Sequence, residues 1–446
     1  MIPRARLATR RRWIILPPII AGIGFWIFRH VIVDRDDATV TAAWTFLSAS
    51  VLWHLLLASL PRRYKSTSRQ ERFLNSLFVT VNLPVYNEDP QTLRLVLCSL
   101  FAQDRLPNRI QVVVNGPKPP DYTNVLAEFR SLALFYQQVE CSWIRTPIPG
   151  KRHAQSMTFD DHGQADIFVT VDSDTILDSA AIREGLKPFA DPKVTSVAAV
   201  MITYNAGRNF LTRMTEVWFT TFQTYLRAAW SRLGCVLVNS GCLAFYRADV
   251  IRPALTAYTS ESFFGRPVEF SDDSFLTLFA LLQGRTVQQP TAFAFMVMPE
   301  RLRHHLRQQL RWYRGSFIRS WWRFRYLPLR SIAYWEHVIV WSMSAVAMTL
   351  FVGVFIEGPL ILHQAPDVQS TLLALILTYA AASGYLMIQR NDQSLRRQIV
   401  TFFCSPLTGI WTVLVLRPLR LYAMITCRKT GWGTRGQIEV GLLEQA

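Results

Sequence analysis

The segment Ile167–Thr175, with the sequence IFVTVDSDT, joins a short apolar run to two closely spaced aspartates. A continuous apolar run of this length that ends at turn residues predicts a β-strand buried on both faces. Similar runs occupy Leu77–Leu83 (LFVTVNL) and Ile110–Asn115 (IQVVVN), and residues 92–103 between them repeat apolar side chains at helical spacing. Strands that alternate with helices in this way predict an α/β domain with a parallel, doubly wound sheet.

Polar side chains follow each predicted strand, at the edge where a doubly wound sheet binds its ligand. Residues 84–89 (PVYNED) follow the first strand, Asn115 ends the second, and Asp172 and Asp174 follow the third. In an extended segment these two carboxylates point to the same side, so both can approach one hard cation such as Mg²⁺ or Mn²⁺. The pattern predicts a site for a metal-bound diphosphate, with a solvated acidic turn as the alternative.

Two more clusters suggest chemistry further along the chain. Asp272 and Asp273 precede an apolar helix start, where Asp273 could accept a proton from an acceptor hydroxyl, although acids also favour the first turn of any helix. Gln308–Trp312 (QQLRW) lies in a stretch rich in Arg and Trp. Such a helix suits a membrane interface, and it can also place an Arg on a pyrophosphate and a Trp beneath a sugar ring.

The composition indicates a membrane protein. Of the 446 residues, 50% are hydrophobic and 18% are charged, and the mean hydropathy of +0.16 is too apolar for an ordinary soluble enzyme. Apolar runs of about membrane-spanning length recur at both ends of the chain: Trp13–Val33, Thr39–Leu60, Ile332–Ile356 and Thr371–Ile388. We interpret Ile399–Leu416 as a re-entrant segment or a tight hairpin, because prolines and a glycine interrupt it.

The flanks of these runs predict their orientation. Arg and Lys outside the first pair of runs place both outer flanks in the cytoplasm, at the inner face of a plasma membrane. The predicted organisation is therefore a transmembrane hairpin (1–65), a cytoplasmic catalytic domain (66–298), amphipathic interface helices (299–330), a transmembrane and re-entrant region (331–427) and a cytoplasmic tail (428–446).

The net charge of +17, from 48 Lys and Arg against 31 Asp and Glu, admits nucleic acid, anionic lipid or a polyphosphate substrate as a partner. A basic membrane protein that binds lipid or nucleic acid without catalysis would have no use for aspartates at strand ends, which repel phosphates unless a cation intervenes. The six cysteines show neither a CxxC pair nor metal-ligand spacing, which argues against zinc and a disulfide framework. We therefore expect the bilayer and a phosphate-bearing substrate as partners, and no nucleic acid.

The order of these motifs resembles that of the processive family 2 glycosyltransferases, and among them it is most similar to hyaluronan synthases and their chitooligosaccharide-synthase relatives. The resemblance covers residues 75 to 436. The motifs that carry it are Pro84–Glu88 (PVYNE), Gly150–Arg152 (GKR), Val171–Thr175 (VDSDT), Ser240–Arg247 (SGCLAFYR), Asp272–Thr277 (DDSFLT), Gln308–Trp312 (QQLRW) and Gly431–Arg435 (GWGTR).

The resemblance implies a cytoplasmic GT-A catalytic domain and a transmembrane channel that exports a growing polysaccharide. It implies UDP-GlcNAc and UDP-GlcA as donors and an inverting transfer with Mg²⁺ or Mn²⁺, whereas a chitin or chitooligosaccharide synthase would use UDP-GlcNAc alone. Asp273, with Asp272 beside it, would be the base, and Asp172 and Asp174 would hold the metal. The implied donor-binding residues are Tyr86, Asn87, Glu88, Asn115, Lys151, Arg152, Asp172, Arg311, Trp432 and Arg435. The implied acceptor-binding residues are Ser240, Gly241, Cys242, Gln308 and Trp312.

Three residues depart from the family pattern. Asn115 stands where the second strand usually ends in Asp, although its side-chain carbonyl can still accept a hydrogen bond from uracil N3–H. Cys242 stands where hyaluronan synthases typically have Pro, and Ser274 stands where they have Arg. The changes lie near the predicted acceptor, so they bear on the identity of the polymer more than on glycosyl transfer itself.

Overall fold

The computed structural model describes residues 2–8, 12–27, 29, 38–59, 64–160, 163–365 and 368–431. An eight-stranded sheet forms the centre of the globular part. Its strands, in chain order, are β1 (Val79–Val85), β2 (Arg109–Asn115), β3 (Glu140–Thr146), β4 (Ile167–Val171), β5 (Thr175–Leu177), β6 (Val194–Thr203), β7 (Leu243–Arg247) and β8 (Arg285–Met296). Across the sheet they lie in the order β3-β2-β1-β4-β7-β6-β8-β5.

The sheet is mixed, and only part of it has the parallel arrangement that the sequence predicts. β3, β2, β1 and β4 are parallel neighbours, and so are β6 and β8. β7 runs antiparallel to both β4 and β6, and β5 runs antiparallel to β8. The expectation of a fully parallel sheet is therefore wrong, because the three strands on which it rests all belong to the parallel half.

The predicted strands lie close to their observed bounds. β4 covers the predicted residues Ile167–Val171, whereas β1 continues further than predicted and includes Pro84 and Val85. Beyond Asn82, β1 pairs with β2 alone, so Pro84 lies where a missing backbone donor is tolerated. The polar motif that follows the first strand consequently starts at Tyr86.

Helices pack against the sheet, as the alternating pattern predicts. The helix predicted over residues 92–103 covers Pro90–Phe101, because the Asp89 carboxylate caps it by accepting the N–H of Thr92 at 2.9 Å. The other helices of the globular part are Ser68–Ser76, Thr123–Phe135, Lys151–Phe159, Ala181–Leu186, Phe210–Phe222, Ala228–Leu233, Ala248–Ile251, Leu255–Thr259, Asp272–Gln283 and Leu302–Tyr326.

Four helices within the described residues are long and apolar enough to cross a membrane: Thr39–Ser59, Ile332–Leu360, Val368–Met387 and Ser405–Ile425. The first apolar run of the sequence forms a helix over Arg12–Ile27, and residues 30–37 lie outside the described part of the chain. The rings of Trp26 and Trp44 meet edge to face with centroids 6.4 Å apart. The first two apolar helices therefore pack against each other, as expected for a hairpin.

The segment Ile399–Leu416, for which the sequence predicts a re-entrant piece or a tight hairpin, contains a break between two helices. A helix over Leu395–Phe403 ends, and the long helix Ser405–Ile425 follows it. Pro406 lies in the first turn of that helix, where its missing N–H would have no partner anyway, and a π-helical turn over residues 412–416 precedes Pro418. The prolines mark a helix start and a local irregularity, and the re-entrant path of this segment stays a prediction.

In the described part of the chain, two short strand pairs lie outside the sheet: Ala5–Leu7 with Ile388–Arg390, and Ser262–Phe263 with Arg266–Pro267. The Arg390 guanidinium also forms a salt bridge with the buried carboxylate of Glu216 in the globular part. The segment between the last two apolar helices is thereby fixed to the sheet domain.

Candidate active site

A cleft of about 470 Å³ opens at the carboxyl ends of β1, β2 and β4, where the doubly wound pattern predicts a ligand. The helix Leu302–Tyr326, which we call the arginine-rich helix, forms one wall, and the cleft continues along the membrane helix Ile332–Leu360. The predicted site residues that line it are Tyr86, Asn115, Lys151, Asp172, Asp174, Ser240, Gly241, Cys242, Asp272, Asp273, Gln308, Arg311 and Trp312. The fold thus gathers motifs that are far apart in the chain.

Asp172 and Asp174 flank a tight turn instead of an extended segment. The N–H of Thr175 donates to the carbonyl of Asp172 at 3.1 Å, which turns the backbone directly after β4. The predicted extended geometry is therefore wrong, although both carboxylates still line the cleft. Ser173 between them donates from its hydroxyl to the carboxylate of Glu88 at 2.8 Å, which fixes the turn from behind.

Glu88 supports this turn and does not line the cleft. Its side chain is buried, and its two oxygens accept hydrogen bonds from the Ser173 hydroxyl and from the N–H of Asp89. Asn87 adopts a left-handed backbone with φ +46°, which Asn tolerates better than most residues, and it also lies outside the cleft lining. Of the predicted nucleoside contacts in this motif, only Tyr86 faces the cleft in the structure.

The Tyr86 ring lies against Gly116, which has φ +111°. A Cβ at position 116 would lie 2.8 Å from Cε2 of Tyr86, so glycine leaves space for the ring. The adjacent Asn115 donates to the carbonyl of Val85 at 2.9 Å and accepts the N–H of Gly150 at 3.0 Å. The Asn115 carbonyl predicted to bind uracil therefore already holds the start of the next motif, with one lone pair left for a ligand.

Lys151 joins two of the acidic motifs. Its ammonium nitrogen lies 2.7 Å from a carboxylate oxygen of Asp172 and 2.9 Å from one of Asp272. Burial works to lower the pKa of Lys151, but the two carboxylates raise it well above its ordinary value. The lysine is therefore a fixed cation in the cleft, beside the carboxylates that would otherwise repel a diphosphate.

The two aspartates that begin the helix Asp272–Gln283 differ in protonation behaviour. Burial raises the pKa of Asp273 to about 6, and the neighbouring Asp272 carboxylate adds to this shift. Burial also opposes charge on Asp272, but the ion pair with Lys151 holds the pKa of Asp272 below its ordinary value. Two titratable groups with pKa values pushed apart are typical of an acid–base site, and Asp273 is the member that can take up a proton near neutral pH.

Gly241 brings the backbone into the middle of these charges. Its N–H donates to the carboxylate of Asp273 at 3.1 Å. A Cβ at position 241 would lie 3.1 Å from the Lys151 ammonium, 3.5 Å from Cβ of Asp273 and 3.6 Å from a carboxylate oxygen of Asp172. A side chain here would fill the space between the acids, so glycine keeps that space open for a substrate.

Ser240 and Cys242, on either side of this glycine, anchor the loop. The fully buried Arg227 donates to the Ser240 hydroxyl at 2.7 Å. The carbonyl of Cys242 accepts the N–H of Asp172 at 3.3 Å, and its thiol lies 3.8 Å from the sulfur of Met296. Burial raises the pKa of the Cys242 thiol well above its ordinary value, which keeps the thiol protonated.

The arginine-rich helix contributes an aromatic platform to the cleft. The Trp312 ring is nearly parallel to that of Phe219, with centroids 6.1 Å apart and an angle of 25°. Phe219 in turn stacks on Trp218, with centroids 6.2 Å apart. Gln308 and Arg311 line the cleft from the same helix. A sugar ring can pack on a platform of this kind, while polar groups beside it orient the hydroxyls.

Residues 77–315 match the family described as Glycosyltransferase like family 2. The chain belongs to glycosyltransferase family 2. It is 34% identical over 369 residues to a hyaluronan synthase from Streptococcus pyogenes, a match that covers 81% of this chain and 84% of the relative. It is 30% identical over 359 residues to an N-acetylglucosaminyltransferase from Azorhizobium caulinodans, covering 80% and 87% of the two chains.

Among solved structures, this family 2 chain is similar to a mannosyltransferase from Pyrobaculum calidifontis in complex with GDP-Man and Mn²⁺. That match has 18% sequence identity and a TM-score of 0.49, and it covers 83% of this chain and 99% of the other. Family membership and the apolar helices together make the chain a membrane glycosyltransferase with a GT-A fold, an enzyme of the hexosyltransferase class. The rival interpretation of a basic membrane protein without catalysis is therefore wrong.

Behind the acids of this glycosyltransferase lies a buried ion cluster that sequence reasoning missed. Glu261 binds Arg319 through both carboxylate oxygens, at 3.0 and 3.1 Å, and lies 2.6 Å from a guanidinium nitrogen of Arg152. Trp322 donates its indole N–H to the same carboxylate at 2.9 Å. Arg152, predicted to contact the nucleotide, is buried in this cluster and lies outside the cleft lining.

The Glu261 cluster connects to both halves of the site. Arg152 directly follows Lys151, and Arg319 donates to the Ser274 hydroxyl at 3.2 Å, next to Asp273. Glu261 thus holds the lysine motif and the aspartate helix in a fixed relation. The sequence offers little signal for this role, because Glu261 lies in an irregular segment where neither periodicity nor spacing distinguishes it.

Two predicted donor-binding residues, Trp432 and Arg435, lie outside the described residues. Their implied role in donor binding stays a prediction.

Proposed function

We propose that this glycosyltransferase is a processive, inverting enzyme that elongates a polysaccharide from UDP-GlcNAc and UDP-GlcA and exports it through the membrane. The observation that carries the proposal is the continuity of the cleft, which extends from Asp172 and Asp174 to Trp341 and Arg420 on two apolar helices. The similarity to a hyaluronan synthase over 81% of the chain supports UDP-sugar donors and a copolymer product.

The transfer is a direct displacement. The acceptor hydroxyl oxygen bonds to the anomeric carbon of the donor as the bond from that carbon to the UDP oxygen breaks, which inverts the anomeric centre. The hydroxyl proton passes to Asp273, whose pKa of about 6 suits a base at neutral pH. Lys151 and Arg311, both in the cleft lining, stabilise the charge that develops on the departing UDP.

The carboxylate oxygens that line the cleft fit a divalent cation. Asp172 and Asp174 offer carboxylate oxygens, the ligands that Mg²⁺ and Mn²⁺ prefer, and both line the cleft. Within the described residues no third His, Cys, Asp or Glu side chain completes a cluster, so oxygens from the substrate and water would fill the remaining positions. When bound, the ion would neutralise the diphosphate.

The acceptor would lie between Trp312 and the loop Ser240–Cys242. Trp312 is held by its stack on Phe219, and the loop is held by Arg227 and by the carboxylate of Asp273. The fixed loop and the fixed Trp312 ring would orient the acceptor hydroxyl toward Asp273. Such orientation lowers the entropic part of the activation barrier.

A chitooligosaccharide or chitin synthase that uses UDP-GlcNAc alone is the second candidate. The 30% identity to an N-acetylglucosaminyltransferase favours it, as do Cys242 and Ser274 near the acceptor. Purified protein with Mn²⁺ and radiolabelled UDP-GlcNAc, with and without UDP-GlcA, separates the two. A polymer that requires both donors and is degraded by a hyaluronan-specific lyase supports the first proposal, and a chitinase-sensitive product from one donor supports the second.

We further propose that the catalytic domain faces the cytoplasm from the plasma membrane. The basic residues 390–397 and 417–435 on one side, and residues 357–369 with acids and histidines on the other, support this orientation. In intact cells an impermeant maleimide should label a His363→Cys variant and should leave a Lys118→Cys variant unlabelled until the cells are permeabilised. The reverse pattern would refute the orientation.

A further inference from the structure

The end of the cleft furthest from the strand ends carries a charge that the transfer step does not use. We call it the inner chamber. Its lining includes Tyr313 and Arg323 of the arginine-rich helix, His337, Trp341 and Ser344 of the helix Ile332–Leu360, and Arg420 of the helix Ser405–Ile425. An arginine within a span-length apolar helix is costly unless it faces a polar cavity, and such residues usually mark a substrate path.

The two arginines of the inner chamber lack acidic partners. Among the described residues that line the cleft, the carboxylates are Asp172, Asp174, Asp272 and Asp273. No salt bridge between described residues involves Arg323 or Arg420. The chamber is therefore cationic, while the rest of the cleft has acids and cations together.

Arg323 has an unused donor in this chamber. Its side chain is 6% exposed, one terminal nitrogen donates to the carbonyl of Leu237, and its Nε has no hydrogen-bond partner among the described residues. Burial lowers the pKa of Arg323 to about 9, so the guanidinium is still charged at neutral pH. The Nε is closed to the cleft, so the second terminal nitrogen is the donor that is left for an anionic ligand.

Arg420 is held in place by an aromatic ring. Its guanidinium carbon lies 4.7 Å from the centroid of the Trp341 ring, in the geometry of a cation–π contact. The Nε2 atom of His337, also in the lining, has no hydrogen-bond partner within the described part of the chain. A preorganised guanidinium is suited to a planar carboxylate.

We propose that the inner chamber is a subsite for the carboxylate of a uronic acid unit in the growing chain, bound by Arg323 and Arg420. The inference rests on the proposed function, because it places the polymer in this cleft. It adds that the path itself selects an acidic saccharide over a neutral one. Lys151 and Arg311 would serve the diphosphate of the donor at the other end, so the two anionic groups have separate binding sites.

The test compares two ligands that differ only in charge. The full-length protein in phosphatidylcholine nanodiscs, with UDP present, is titrated calorimetrically with a hexasaccharide of alternating glucuronate and N-acetylglucosamine. The second ligand is the same hexasaccharide after its carboxylates have been reduced to alcohols. We expect the acidic ligand to bind about ten-fold more tightly or better, as charge-assisted hydrogen bonds imply. The neutral lipid prevents phospholipid headgroups from competing for the arginines.

Substitutions then assign the effect to residues. Arg323→Gln and Arg420→Gln should each remove most of the preference for the acidic ligand and leave the affinity for the reduced ligand nearly unchanged. Arg325→Gln is the matched control, because Arg325 lies on the same helix two residues away and is exposed. Equal affinity of the unsubstituted protein for the two ligands refutes the subsite even if a variant fails to fold.

Equal affinity for the two ligands, or an acid preference that both arginine variants retain, would overturn the subsite. The experiment with one or two UDP-sugar donors can refute the proposed function without refuting the subsite. A product made from UDP-GlcNAc alone would refute the copolymer, while an arginine-dependent acid preference in the same preparation would preserve the subsite.

Discussion

The raised pKa of Asp273 predicts how the enzyme should respond to acid. With a pKa of about 6, roughly 91% of this carboxylate is ionised at pH 7 and roughly 9% at pH 5, so the rate at saturating donor should fall about ten-fold between these values. The rate falls in acid because a protonated Asp273 cannot take up the proton of the acceptor hydroxyl. The expected profile of log kcat has a slope near +1 below pH 6.

The assay is the initial rate of UDP release at saturating donor from pH 5 to pH 8, with UDP affinity measured in parallel. UDP affinity should change much less than the rate, because the Asp272 carboxylate and the Lys151 ammonium keep their charges across this range. Asp272→Asn removes a neighbouring negative charge that raises the pKa of Asp273. The acid limb of whatever activity that variant retains should therefore move to lower pH.

Substitution of the base itself supplies the decisive control. Asp273→Asn should abolish turnover and leave UDP affinity nearly intact. A rate that stays constant down to pH 5, or an Asp273→Asn variant that retains most of its activity, would refute the assignment of Asp273 as base. Equal loss of turnover and UDP affinity would reassign this residue to binding or folding.

Three further predictions follow from the same geometry. Glu261→Gln should destabilise the protein by about 3–5 kcal/mol, since it leaves two buried arginines without their counter-charge. A thermal-inactivation curve measures the loss of stability. The control Glu128→Gln, which breaks the exposed ion pair with Arg94, should leave that curve unchanged. Ser240→Ala should slow polymer formation about ten-fold with unchanged UDP affinity, because Arg227 loses its loop partner; full activity in the variant would contradict an anchoring role. Asp174→Asn should remove Mn²⁺-dependent UDP binding in calorimetry. Substitution of the exposed Asp160 by Asn is the control and should retain that binding. Equal UDP binding by the two variants would show that Asp174 holds no metal.

The sequence by itself determined which segments carry chemistry. The buried strand before Asp172, the helix start at Asp273 and the Arg–Trp pairing at residues 311–312 all follow from local patterns. A continuous apolar run has few ways to satisfy its backbone other than a strand or helix, and polar residues at its end are exposed to whatever binds there. Family membership was equally visible, because the order of the motifs along the chain requires no knowledge of contacts.

Tertiary structure alone decided how these segments meet. It turned the Asp172–Asp174 segment into a tight turn, committed Glu88 to the support of that turn, and buried Arg152 against Glu261. It also reversed β7 within the sheet. Apart from the turn, which a hydrogen bond between residues three apart closes, none of these outcomes has a local signature, because each depends on a partner far away in the chain. A charged residue that binds a ligand and one that pairs in the core look the same in a sequence, and only the position of the counter-charge in space tells them apart.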